Sequence, residues 1–382
     1  MSSARVLHVF KYFRPDFTGE GIFLERLAPV FQRLRPDVAH EVAVTATACP
    51  PGFKPPAGLA AVHFLGNGGP AGQTRLVGWL ACHAAGYSAV HYHTHVDRSF
   101  AASALLRLLR RRVVLSATLD DSIPALMGTY RPLFRPLVRL LSRVVSMFVA
   151  ISPRLFAENN QVVPASKSAM VPIGIAIPPA PSPDTRAAAR RRLRIADNAI
   201  VLVSVGGICA RKDQLFLIQQ LPALVCHHPG LLLVLVGPVL ELDYRERMEA
   251  EIVQANLGPH VMFTGYQEKP WDYYDAADAM VFASREEGFG TVVIEAMARG
   301  LPVLARRLPG VNDAFIEQGF SGYLFDDAQA FRAGAEALAA DAGLRQKMGQ
   351  RGRAFVVGHY DIAEVAARYL DIYGYPAGAA AA

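Results

Sequence analysis

Glu287 and Glu295 lie eight residues apart around a glycine-rich turn, Glu287-Gly288-Phe289-Gly290-Thr291. The run before the turn, Asp278-Ala279-Met280-Val281-Phe282, reads as a buried strand. Gly288 and Gly290 break that strand and leave the backbone bare of bulky side chains. A helix is expected from Thr291 to Arg299, stopped at Gly300 with Pro302 beyond. Free amides at a helix start, with the helix dipole behind them, suit a phosphate. Thr291 to Glu295 is an i, i+4 step, so Glu295 sits one turn behind the phosphate-facing end, on the same side. A carboxylate there can accept both hydroxyls of a ribose. Glu287, in the turn, can reach the group beyond the phosphates. The plain alternative is a pair of surface acids flanking an ordinary strand–helix turn.

A second set of charges precedes this block. Ala199 to Val205 reads as a strand, followed by Gly206-Gly207 and then Arg211-Lys212 before a helix with Leu215, Leu217, Ile218 and Leu221. Guanidinium suits phosphate because its fork donates twice. The bland alternative is two exposed cations in a loop before a helix. Nearer the N-terminus, Ala89 to His95 reads as a strand with His91, His93 and His95 on one face. Such a trio suits a metal-dependent hydrolase, or a structural role. No H-E-x-x-H accompanies it, and His227, His228 and His260 fall in loop-like or surface-like settings. Asp120 and Asp121 follow the strand Val113 to Thr118 and suit acceptor hydroxyls or a solvated loop. Arg131, Arg135, Arg139 and Arg143 recur every four residues, a basic stripe on a helix from about Pro136. That face suits anionic lipid, or a surface helix with its stems packed on the domain.

The elements that must position these residues fill a chain of 382 residues, 52% hydrophobic, with a net charge of +6. That length accommodates two domains. Residues 1–178 hold 19 Lys/Arg against 9 Asp/Glu, and residues 179–382 hold 20 against 24. A basic first half suggests an anionic partner or surface. Cys49, Cys82, Cys209 and Cys226 form no C-x-x-C pair and read as reduced thiols. No apolar run reaches a bilayer span, and Met1 to Arg5 lead straight into a strand, so a cytoplasmic protein is expected. Strands and helices alternate in both halves, which argues two parallel, doubly wound α/β sheets. Val6 to Phe10 opens the first with a strand, a loop containing Gly19 and Gly21, and a helix. Four prolines between Pro178 and Pro183 mark the boundary.

Glu287-Gly-Phe-Gly, Glu295-Ala-Met and Gly300-Leu-Pro-Val303, in that order, resemble the E-x7-E signature of family 4 retaining glycosyltransferases. The resemblance covers nearly the whole chain and is strongest from Val201 to Phe325. It implies the GT-B fold, two Rossmann-like domains facing a deep cleft. The division expected is 1–178 on the acceptor side, 179–358 on the donor side, and 359–382 as a helix crossing back to the first domain plus a frayed Ala-rich tail. It implies that Glu295 binds the ribose, Glu287 contacts the donor sugar, and the amides of Phe289, Gly290 and Thr291 hold the diphosphate. Lys212 matches the family's diphosphate lysine. Gly207 stands where the family has arginine, and Arg211 is the neighbouring cation that would replace it. Gly19 matches the second glycine of the family's Gly-Gly loop, with Thr18 at the first. His93 matches the histidine beside the anomeric carbon, and Tyr266 lies in the segment beside the nucleotide base. Val171 to Ala176 resembles the family's domain-closing segment, with Ile173 and Ala176 replacing Asn and Asp.

The function expected is therefore transfer of a sugar, with retention, from a nucleotide-diphosphate sugar to a hydroxyl acceptor in glycan, lipid-linked saccharide or glycoconjugate biosynthesis. No cofactor and no metal are expected. A lipid- or phosphate-linked acceptor and peripheral contact with the inner face of an anionic membrane fit the basic first half. No nucleic-acid partner is expected. The competing readings are a nucleotide-sugar-binding module that has lost activity and the metal hydrolase on His91, His93 and His95.

Overall fold

The computed structural model describes residues 4–16, 18–66, 69–93, 100–117, 122–128, 132–134, 136 and 143–378. His95, Asp120, Asp121, Arg131, Arg135 and Arg139 lie outside the described residues. The chain divides into two compact units, residues 1–176 with 360–382, and residues 177–359.

The first unit is built on a seven-stranded, wholly parallel sheet. Its strands are β1 (Ala4–Phe10), β2 (Val38–Val44), β3 (Ala61–Phe64), β4 (Ala89–His93), β5 (Arg112–Ala117), β6 (Met147–Ala150) and β7 (Ser168–Met170). They lie in the order β3-β2-β1-β4-β5-β6-β7. Helices cover both faces, so the central strands read as apolar runs rather than alternating ones. On one face the Gly19–Leu34 helix packs with the last helix of the chain, Ile362–Tyr373. Phe23, Leu27 and Phe31 there meet Val365, Tyr369 and Tyr373 in one cluster. On the other face Leu76, Leu80, Ala102 and Leu106 cover Leu7, Val90 and Leu115. The Ile362–Tyr373 helix starts with Asp361, whose side chain accepts from Ala363 N, and ends at Gly374 with φ 92°. Ile175 pairs with the segment leading into it: Ile175 N donates to Tyr360 O at 2.9 Å, and Ile362 N to Ile175 O at 3.0 Å.

The second unit carries a six-stranded parallel sheet in the order β10-β9-β8-β11-β12-β13. These are β8 (Ile200–Val205), β9 (Leu231–Val236), β10 (Val261–Phe263), β11 (Ala279–Phe282), β12 (Val303–Arg306) and β13 (Gly322–Phe325). The Pro183–Leu193 helix is tied to this sheet by a buried charge cluster. Asp278 accepts from Arg186 at 2.7 Å, Arg190 at 2.9 Å and Val201 N at 2.8 Å. Arg190 is almost wholly buried, and its remaining donors reach the carbonyls of Ala276, Ala196 and Asp197. A buried guanidinium persists only when its donors are so answered. Among the described residues no helix is long and apolar enough to cross a membrane.

In each sheet the order reverses once, between β1 and β4 and between β8 and β11. Open α/β sheets bind ligands at the carboxyl ends of the strands flanking such a reversal.

Candidate active site

In the second unit the segments leaving β8 and β11 are joined. Arg285 N donates to Arg211 O at 2.9 Å. Arg211 and Lys212 lie in a short 3-10 turn, Ala210–Lys212. Lys212 Nζ donates to Glu287 Oε1, and Arg211 Nη1 lies 3.3 Å from the same oxygen while donating to Glu286 O at 2.8 Å. Two neighbouring cations and an acid 75 residues beyond Lys212 in sequence thus share one point. Lys212 also faces the Phe282 ring, with Nζ 5.7 Å from its centre.

Asp213 secures this junction, and sequence reasoning passed over it. Its backbone is left-handed, φ 53°, where the 3-10 turn becomes the Gln214–His227 helix. Its buried carboxylate accepts from Arg285 Nε at 2.9 Å, Arg285 Nη2 at 3.1 Å and Arg306 Nη2 at 2.7 Å. Arg306 Nε donates in turn to Ala283 O at 3.0 Å. One carboxylate therefore ties the Lys212 turn to the Glu287 segment and to the end of β12. An acid directly after the Arg211-Lys212 pair was its one sequence signal.

Beyond Glu287, Gly290 takes φ 89° and leads into the Thr291–Ala298 helix, whose start has no side-chain cap. Phe289 is buried beside Phe315, ring centres 5.6 Å apart. Glu295 is buried on the helix and accepts from Tyr274 Oη at 3.2 Å. The helix ends at Ala298, one residue short of the expected Arg299, and Gly300 stops it as expected with φ 72°. A Cβ on Gly349 would meet Gly300 O at 1.8 Å, so the Ala342–His359 helix needs glycine where it crosses. Tyr266 follows Gly265 and is 57% exposed.

Gly207 follows Gly206, which has φ 151°. A Cβ on Gly207 would lie 2.4 Å from Leu240 Cδ1. Any larger residue there must displace Leu240. Gly207 O accepts from Gln214 Nε2 at 2.9 Å, so this position contributes backbone alone. Arg211, beside Glu287, is the cation that stands near.

In the first unit Gly19 opens the helix after β1, and a Cβ there would meet nothing within 4 Å. Thr18 caps that helix, its Oγ1 accepting from Gly21 N at 3.1 Å. The residue that departs from the glycine pair thus does a job glycine cannot do.

His91 and His93 share a face of β4, and among the described residues the third imidazole beside them is His8 of β1. Adjacent parallel strands bring His8 opposite His91. The three rings are linked to further groups by hydrogen bonds. His93 Nε2 lies 2.9 Å from His8 Nδ1, and His8 Nε2 lies 3.0 Å from His40 Nδ1. His91 uses Nδ1 with Tyr373 Oη at 2.6 Å and Nε2 with Ser116 Oγ at 2.7 Å. His93 stacks on Phe10, ring centres 4.3 Å apart. Burial pushes His8, His91 and His93 well below the ordinary histidine value, and neighbouring imidazoles add to the effect. Burial brings His40 down to about 3. These are neutral rings. A metal here would have to break bonds already made at both nitrogens of His8 and of His91. His8 and His40 went unnoticed in the sequence. Their only signal was a histidine inside a largely apolar strand.

Residues 185–355 match the family model described as glycosyl transferases group 1. The chain is 29% identical over 185 residues to the lipopolysaccharide core biosynthesis glycosyltransferase LpsE of Rhizobium meliloti, covering 48% of this chain and 52% of that protein. It is 30% identical over 205 residues to a GDP-mannose-dependent alpha-(1-6)-phosphatidylinositol monomannoside mannosyltransferase of Mycolicibacterium smegmatis, covering 50% and 52%. The chain thus spans about half the length of these two relatives. Among solved structures, HepE of Anabaena in complex with UDP and glucose superposes with TM-score 0.77 at 20% identity, over 97% of this chain and 99% of that one. WaaG, a glycosyltransferase involved in lipopolysaccharide biosynthesis, superposes with TM-score 0.70 at 16% identity, over 96% and 99%. None of these four is named a hydrolase. The chain therefore has the GT-B fold, and its residues 185–355 match the glycosyl transferases group 1 model.

Proposed function

We propose that this protein transfers a sugar, with retention of anomeric configuration, from a nucleoside-diphosphate sugar to a hydroxyl acceptor. One observation carries the reading. Lys212 and Arg211 converge on Glu287 beside an uncapped helix start, with buried Glu295 one turn behind. A diphosphate entering there takes over the cations that Glu287 now holds and meets the amides of Phe289, Gly290 and Thr291. Glu295 accepts the ribose hydroxyls, and Tyr266 lies beside the base. Glu287, released from Lys212, turns to the sugar.

The cations and amides are aimed at the group whose charge grows in the transition state. Each such preorganised donor contributes on the order of 3 kcal/mol. The bond from the anomeric carbon to the diphosphate oxygen breaks as the acceptor oxygen bonds on the same face. The acceptor's proton passes to the departing phosphate oxygen. No side chain becomes covalently attached, and no divalent metal is required. His93 belongs to this reading on the sugar side.

The relatives support the substrate class. One is named for GDP-mannose, and HepE was solved with UDP and, separately, with UDP-glucose. LpsE and WaaG are named for lipopolysaccharide biosynthesis, which suits an acceptor in glycan or lipid-linked saccharide assembly. The excess of Lys/Arg in residues 1–178 fits a phosphate- or lipid-linked acceptor. The bare position at Gly207 is the one observation that favours a binding module without turnover, and Arg211 answers it.

Calorimetric titration with UDP and GDP is expected to show binding of one of them in the presence of EDTA. Transfer from the matching sugar donor should then give a product whose anomeric proton coupling matches the donor's. Inverted product, or no binding of either diphosphate, defeats the reading.

A further inference from the structure

The buried histidines allow only two arrangements of protons. His40, His8 and His93 form a chain with two ring-to-ring contacts, Nδ1 of His40 to Nε2 of His8 and Nδ1 of His8 to Nε2 of His93. Each contact needs one proton, and each neutral ring supplies one. The third proton must sit at an end of the chain. If it sits on His40 Nε2, the polarity runs from His93 towards His40, and His93 keeps a bare Nδ1. If it sits on His93 Nδ1, the polarity runs the other way, and His40 keeps a bare Nε2.

The two ends are not equivalent. His40 Nε2 is buried and has no hydrogen-bond partner among the described residues. His40 is sealed by Phe31, stacked on it with ring centres 4.4 Å apart. A proton there would be a buried N–H with no acceptor, the arrangement native proteins avoid most strongly. At the other end, His93 makes no hydrogen bond through Nδ1 among the described residues. It is the last residue of β4, at the carboxyl edge of the sheet next to the strand reversal. His40 is enclosed within the sheet's helix layer, whereas His93 stands at the strand end where open parallel α/β sheets bind their ligands.

We infer that His40 and His8 are positioning residues that hold His93 with its proton on Nδ1, so that His93 meets a ligand as a hydrogen-bond donor. The ligand atom it suits is an oxygen acceptor, such as a sugar hydroxyl. This rests on the proposed function only in naming a sugar. Burial keeps all three rings neutral, which preserves the count of one proton per ring. His91 stands outside the relay, because its partners are the hydroxyls of Tyr373 and Ser116, which donate or accept as required. Free neutral histidine prefers the proton on Nε2, so the inferred state differs from the default.

The test is long-range proton–nitrogen NMR on protein labelled with nitrogen-15 histidine, each resonance assigned by substitution. His93, His8 and His40 are expected to show a protonated Nδ1 and a bare Nε2. His8→Phe keeps a ring in place but removes the donor to His93, and should return His93 towards the Nε2–H form. His8→Asn retains an amide donor near the former Nδ1 and should preserve the Nδ1–H form of His93. The His91 signals serve as the internal standard for an intact fold. A His93 that carries its proton on Nε2 in the unaltered protein overturns the inference, as does a tautomer indifferent to His8→Phe. Titration of the same sample with UDP and GDP tests the nucleotide site separately, since the proton placement is read without any ligand.

Discussion

Glu287 holds two cations on one oxygen, and this sets what single substitutions should do. Lys212 and Glu287 are both largely covered, so the pair is worth more than an exposed one. On the proposed reading, Lys212→Ala removes a charge-assisted bond to the diphosphate and is expected to weaken nucleoside diphosphate binding about tenfold to a hundredfold, roughly 1.5–3 kcal/mol. Glu287→Gln should bind the diphosphate at least as tightly, because a competing carboxylate is gone, while losing transfer. Calorimetry and a transfer assay on the two variants separate these outcomes; parallel loss of binding in Glu287→Gln would contradict the roles assigned. The turn and helix that carry Glu287 and Glu295 were legible in the sequence because they follow from short-range spacing. Asp213, Tyr274, His8 and His40 were not. Each acquires its role from a partner far along the chain, and no local pattern announces such a partner.

At the scale of elements, the parallel strands were legible because both faces are buried and the sequence runs apolar through them. The Gly69–His83 helix and β7 went unread. The helix carries Gly69, Gly72 and Gly78, which weaken its pattern, and β7 is three residues long with no fully buried side chain. The strand–turn–helix at Gly290 was legible to within a residue at the far end. Its Gly290 has φ 89°, and a Cβ there would find its nearest neighbour at 3.7 Å. Gly290→Ala therefore meets a conformational penalty rather than a clash. A cost of about 1–2 kcal/mol is expected, with weaker diphosphate binding as the helix start shifts. Thermal denaturation and the same calorimetric titration would show it; unchanged stability and affinity would mean that the turn relaxes freely. Asp213→Ala should cost more, about 2–3 kcal/mol, because Arg306 then keeps a largely buried charge without its carboxylate. The same denaturation measurement checks it.

At the scale of the whole molecule, acid should strike the first unit through its histidines. The folded values of His8, His40, His91 and His93 lie below the ordinary 6.5. The unfolded chain therefore binds protons that the folded chain refuses. Stability is unaffected well above pH 6.5 and falls as pH drops below it, by up to about 1.4 kcal/mol per pH unit for each ring. Glu41 acts in a lower window. Its hydrogen bond with His63 holds it down to about 2, so its contribution is lost only as pH falls from about 4.5. The first unit contains Trp79 and the second Trp271. Urea midpoints from Trp79 fluorescence in a Trp271→Phe background should drop between pH 7.5 and 5.5. Equal midpoints would mean that the rings gain protons without unfolding. The two-sheet organisation was legible from the alternation of strands and helices. The cluster of four histidines was not, since it needs three strands side by side.

The second unit is threaded into the first, leaving it after residue 176 and rejoining it at residue 360. The sheet of the first unit therefore waits for residues synthesised after the whole second unit, since Tyr369 and Tyr373 pack beside His91. On the ribosome, the second unit emerges complete while the first still lacks the Ile362–Tyr373 helix that packs into its core. A premature stop near residue 359 would accordingly spare the later-made unit and cripple the earlier one.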